Sequence, residues 1–211
     1  MRLFRTRPRR KIHTFGDSHC HAGWKKVRSR SVEVHTHRLG PRLMHSFGKL
    51  GLELLDLADY RLDADDVACF CFGEIDCRGH VQRLAETDHE SVIDQVVDAY
   101  FDAIELNRAR TAARTIAVYN VVPPVHRDRV WEDPAFPFLG SDAERLHYVC
   151  YMNERLRAGC RARGLVFVDV YTDYSDVDGF LDPQLSDGKI HIRNPRPLTR
   201  FLERHLGVLK N

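Results

Sequence analysis

The chain has 211 residues, of which 43% are hydrophobic and 29% charged, a length at which one domain buries a full core. Its formal net charge of +2 is concentrated at the start: residues 1–11 hold six of the 32 basic side chains and no acid, leaving 26 basic against 30 acidic side chains elsewhere, so no specific nucleic-acid partner is expected. No apolar stretch reaches the roughly 18 residues of a membrane span, and no apolar segment follows the basic start as in a secretory signal, so a cytoplasmic protein without a transmembrane segment is expected.

Residues 1–11 read as a basic, mobile arm, and 12–211 as a single domain. Six cysteines, at 20, 69, 71, 77, 150 and 160, form no CxxC pair and read as reduced thiols. KIHTFG (11–16) is a first strand, and SVEVHTHRL (31–39), alternating with period two, a second. RLMHSFGKLGLELLDLA (42–58) has leucine and phenylalanine spaced for one helical face, although Gly48 and Gly51 weaken it by about 1 kcal/mol each relative to alanine. DDVACFCFG (65–73) is an apolar run of the kind buried on both faces.

TDHE (87–90) has capping-box spacing and opens a helix with Val92, Val96, Val97, Tyr100, Phe101 and Ile104 inward. TIAVYNVVPP (115–124) is a further strand stopped by prolines, and 125–140 a long loop. SDAE (141–144), a second capping box, opens a helix with Leu146, Val149, Cys150 and Leu156 inward. A strand, LVFVDVY (165–171), a polar loop (172–195) and a helix from Pro197 to His205 complete the chain. Strands alternating with helices predict an α/β protein: a three-layer α/β/α sandwich, flavodoxin-like, with about five parallel strands. In such sheets functional groups collect beyond the carboxyl ends of the strands.

Three strand-end sets stand out on that rule: Gly16-Asp17-Ser18-His19, the run Gly73 to Arg78, and Asn120. A serine needs a base to take its proton and donors to hold an oxyanion; Asp17 and Ser18 equally suit the capping of a turn. His191, in LSDGKIHIRN (185–194), has the near-neutral pKa of a general base, and Asp187 is a partner for its other ring nitrogen. Glu74 and Asp76 end a buried strand where Arg78 is a partner; the cluster is either a structural ion pair or an anion clamp. The pairs His19/His21 and His35/His37 would supply zinc ligands if brought together, but no zinc-enzyme spacing occurs and no metal or other cofactor is expected.

In this order GDSH, a Gly-containing segment after the second strand, FGEID, and SDGKIHI resemble the blocks of the SGNH, or GDSL-type, hydrolases, over about residues 12–206. The resemblance implies Ser18 as nucleophile, His191 as base and Asp187 as its orienter, with the oxyanion held by the backbone N–H groups of Ser18 and Gly40. Asp17, Glu74, Asp76, Arg78 and Asn120 are the candidate substrate-binding residues. Two positions depart from the pattern. Ile75 stands where the family usually has an asparagine that donates to the oxyanion, and Gly188 stands where it usually has the aspartate three residues before the histidine. The expected function is a serine-dependent esterase acting through an acyl-enzyme on a small-molecule or glycan ester of a polar alcohol, such as an O-acyl sugar. The alternatives are a ligand-binding protein of the same fold weakened by Ile75, and an O-acyltransferase using the same site.

Overall fold

The computed structural model describes residues 9–84 and 88–206. Five apolar segments pair into one parallel sheet: β1 (Arg10–Gly16), β2 (Val32–Arg38), β3 (Val67–Cys71), β4 (Thr115–Tyr119) and β5 (Val166–Val168), in the order β2-β1-β3-β4-β5. This is the α/β/α, flavodoxin-like arrangement expected from the alternation of strands and helices.

The period of two within each strand builds the layers. Phe15, Ala68, Phe70, Ile116 and Val118 face one core with Phe47, Tyr100, Phe101, Met152 and Leu156, carried by α1 (Met44–Leu50), α3 (His89–Arg108) and α4 (Asp142–Arg163). Ile12, Val67, Cys69, Cys71 and Tyr119 face a second core with Trp24, Tyr174, Leu198 and Leu202. Its helical cover is α5 (Tyr171–Tyr174) and α6 (Arg196–His205). A π-helical turn (Asp76–His80) leads into α2 (Val81–Leu84) between β3 and α3.

Several boundaries differ from the sequence reading. The single helix expected over 42–58 is α1 followed by 3₁₀ turns, because the chain turns at Gly51, whose φ of +52° suits glycine. The strand expected over 115–124 ends at Tyr119, and the first strand begins at Arg10, inside the expected arm. Arg10 is anchored there: its guanidinium donates to Thr115 Oγ1 at 2.7 Å and Asp65 O at 3.0 Å. Thr87 of the first capping box lies outside the described residues; α3 is capped by Asp88, which accepts from Ser91 N–H.

The second capping box forms as expected between Ser141 and Glu144. Cys150, expected inward on α4, is exposed, and Leu146 only half-buried, while Arg145 is buried. The Arg145 guanidinium takes the inner position because it donates to the carbonyls of Gly140 and Leu139 and pairs with Asp142.

Candidate active site

Gly16 ends β1 against the end of β3. A Cβ at this position would lie 1.8 Å from Cys71 O, so glycine alone permits the approach. Asp17 follows, fully buried, its Oδ1 accepting from His19 N–H at 2.7 Å. That bond caps the 3₁₀ turn Ser18–Cys20, which Thr14 also fastens by donating to Cys20 O at 2.6 Å. Ser18 is thereby held at the rim of the sheet.

His191 arrives from the polar loop, which is folded into a tight hairpin by the Ser186–Ile192 bridge. Its Nε2 lies 2.9 Å from Ser18 Oγ. Asp187 Oδ2 lies 3.0 Å from His191 Nδ1, and Asp187 Oδ1 accepts from the Lys189 and His191 N–H groups at 2.9 and 3.2 Å. An ionised carboxylate only accepts, so Nδ1 carries the ring proton and Nε2 is left to accept from the serine hydroxyl. Ser18, 173 positions before His191, and the neighbouring pair Asp187 and His191 form one continuous hydrogen-bond chain.

Electrostatics suit this arrangement. Burial opposes ionisation of Asp187, but the N–H donors and His191 outweigh it and hold the carboxyl below its usual range. Burial, and then the charge of nearby His19, push His191 below its ordinary value of 6.5 despite Asp187. The His191 imidazole is therefore mainly neutral at pH 7.

Leu39 N–H donates to Gly16 O at 2.8 Å, which sets Gly40 beside the strand end that carries Ser18. Gly40 has a φ of +90°. Neither its N–H nor that of Ser18 donates to an acceptor among the described residues.

The other candidates divide. Glu74 and Arg78 stay at the crevice: Arg78 Nε lies 3.1 Å from Glu74 Oε1, and Glu74 Oε2 lies 3.6 Å from His19 Nε2. Burial disfavours the Glu74 charge, yet His19 and Arg78 beside it hold its carboxyl below the usual range. Asp17, Asp76 and Asn120, expected to touch substrate, are turned inward and committed elsewhere. Asp17 is the cap described above, and burial raises it to about 6 against the pull of His19. Asp76, fully buried, accepts from the Met44 and His45 N–H groups at 2.7 and 3.1 Å and so caps α1. Asn120 accepts from Val170 N–H at 3.0 Å and donates to Val121 O at 2.7 Å, tying the ends of β4 and β5. Asn120 is buried, with its Oδ1 and one Nδ2 hydrogen engaged in these backbone bonds.

The histidine pairs diverge. His19 turns to Glu74 and His191, with ring centroids 4.9 Å apart in the latter pair, whereas His21 bonds Thr36 Oγ1. His35 and His37 share a face as their spacing predicts, but stack on His13. His19 is the residue the sequence reading undervalued. Burial works against its charge, but Glu74 and Asp17 outweigh burial and raise it; its place directly after Ser18 was the available signal.

No family model and no curated protein matches the chain. Solved structures do. A GDSL-like lipase from Bacteroides thetaiotaomicron VPI-5482 superposes with a TM-score of 0.61 at 12% identity, covering 93% of this chain and 87% of that one. A member of the lipolytic G-D-S-L family from Veillonella parvula DSM 2008 gives 0.62 at 16% identity, covering 94% and 99%. A catalytic mutant of an acetylxylan esterase from Geobacillus stearothermophilus gives 0.59 at 12%, covering 94% of each chain. No described helix is long and apolar enough to cross a membrane. In strand order and near-complete overlap with these structures, the chain has the fold of the SGNH, or GDSL-type, hydrolases.

Proposed function

We propose that the chain is a serine esterase that acts through an acyl-enzyme on an ester of a polar alcohol, such as an O-acyl sugar. The observation that carries this reading is the hydrogen-bond chain from Asp187 through His191 to Ser18 at the strand-end crevice. Ser18 Oγ attacks the ester carbonyl carbon while His191 Nε2 takes its proton. The carbonyl oxygen, now an oxyanion, is held by the N–H groups of Ser18 and Gly40. His191 returns the proton to the leaving alcohol as the carbon–oxygen bond breaks. A water then repeats the sequence, with His191 as base, and releases the carboxylic acid and free Ser18; a second alcohol in place of water yields acyl transfer. Asp187 holds the imidazole tautomer throughout. The sugar ester is favoured by the acetylxylan esterase among the structural neighbours.

A second reading, a ligand-binding protein with little turnover, is favoured by one observation. Ile75 offers no donor and Asn120 is already committed, and loss of one oxyanion donor costs about a hundred- to a thousandfold in rate. A fluorophosphonate probe separates the two. Labelling of the wild type that vanishes in Ser18→Ala, together with hydrolysis of acylated sugars or short-chain esters that vanishes in Ser18→Ala and His191→Ala, supports the esterase. Folded protein that takes no label supports the binder.

A further inference from the structure

We propose that the cavity next to the Ser18 site binds a carboxylate carried by the substrate, using Arg78, His80 and Arg83. The inference rests on the esterase reading and narrows its substrate class.

The cavity has a volume of about 130 Å³, and Pro41, Leu43, Ile75 and Phe136 supply apolar walls around the three basic side chains. Two connections lead from it toward the nucleophile. Pro41 follows Gly40 directly, and Arg78 is linked through Glu74 and His19 to His191, in steps of 3.1 Å, 3.6 Å and a ring separation of 4.9 Å.

Its charge is one-sided. No acidic residue lines it among the described residues. Glu74 meets Arg78 at Nε, and neither terminal guanidinium nitrogen is engaged in that pair. Those two nitrogens form the flat fork that matches a carboxylate. The guanidinium also lies 5.9 Å from the centre of the Phe136 ring and 5.3 Å from that of Phe138, within reach of a cation–π attraction to both.

His80 adds an independent sign. His80 lines the cavity, and its Nε2 is buried without a hydrogen-bond partner among the described residues, a state that costs free energy. Burial first, and then the neighbouring His45 and Arg83, hold His80 below its ordinary value. A carboxylate that accepts from an Nε2–H supplies the missing partner, and its charge opposes the effect of Arg83 on His80. The apolar walls, Ile75 among them, exclude water and strengthen the attraction. Ile75, a loss when judged as an oxyanion donor, serves as a wall of this cavity.

The carboxylate can sit on the acyl or the alcohol side of the ester, and paired substrates distinguish these. One pair is 4-nitrophenyl hydrogen succinate and its methyl ester; the other is an O-acetylated uronate and its uronamide. In one pair the acid should have a kcat/KM at least about tenfold above its neutral partner. That ratio should fall about tenfold in Arg78→Gln, where a bidentate contact is lost, and about threefold in the more exposed Arg83→Gln. Acid and neutral forms within about twofold of one another in both pairs, or ratios unchanged in Arg83→Gln, overturn the proposal. Arg83→Gln keeps the test valid if Arg78→Gln fails to fold. Calorimetry with Ser18→Ala, which cannot turn over, separates the two readings. The carboxylate-bearing esters should bind it and bind more weakly once Arg83→Gln is added, even if wild type hydrolyses nothing and the esterase reading falls. No binding of either acid overturns the cavity proposal by itself.

Discussion

Asp187 reaches His191 across only three intervening residues because Gly188, at a φ of +82°, reverses the chain between them. The carboxylate spans the hairpin, meeting the imidazole with one oxygen and two backbone N–H groups with the other. A four-residue spacing thus delivers the contact that the SGNH-type sequence pattern usually makes over three. Asp187→Ala should lower kcat by about 10³–10⁴-fold with little change in KM. Steady-state kinetics on a short-chain ester check this, and a loss below about tenfold would mean that His191 is oriented by something else.

In the proposed mechanism His191 is neutral when it takes the Ser18 proton, and burial with the charge of His19 keeps it below 6.5. The acid limb of kcat/KM should therefore fall at a pH below 6.5. His19→Gln removes the neighbouring positive charge and should shift this limb upward, while burial keeps part of the depression. A pH–rate profile of both proteins decides the point; a limb that moves down in the variant contradicts the assignment.

Asp76 is a structural cap rather than a substrate contact. Asp76→Ala strands the Met44 and His45 N–H groups and should destabilise the fold by about 1–3 kcal/mol for each one left unsatisfied. Urea denaturation measures it. Burial also raises Asp76 from 3.8 to about 7. The folded state therefore binds this proton more tightly than the unfolded chain. The stability tied to it is complete below 3.8 and is lost as pH rises toward 7. Asp76→Asn should flatten this part of the stability profile, and an unchanged slope would assign it to other groups.

Of the six cysteines, Cys150 alone is exposed. Native protein should release one equivalent in a thiol titration with an aromatic disulfide reagent, and denatured protein six. A fast second equivalent in the native state would show that one of the cores opens readily.

What the sequence made legible was what depends on local pattern: five apolar runs, their parallel order, and polar blocks at strand ends. Ser18 and His191 could be paired because both blocks had to reach the same rim. The commitments of Asp17, Asp76 and Asn120 were not legible, since each depends on which backbone N–H or carbonyl the fold brings near. Asp76 meets a helix start 32 positions earlier in the chain. Arg145 taking an inner position on α4 in place of Cys150 has the same origin: the carbonyls it satisfies belong to the loop before the helix.

The two halves of the relay are anchored very differently. Ser18 follows β1, which pairs on both edges, with β2 and β3, and is tied to β3 again by Asp17 N–H donating to Cys71 O at 3.3 Å; His191 rides on a hairpin outside the sheet, held by the Ser186–Ile192 bridge and by backbone bonds from Asp187, Arg193 and Asn194. Amide exchange should accordingly be slow on the serine side and fast on the histidine side, with local opening of the loop far cheaper than opening of the sheet. If the chain is the proposed esterase, activity should be lost on warming before the sheet melts and should return on cooling without refolding of the core.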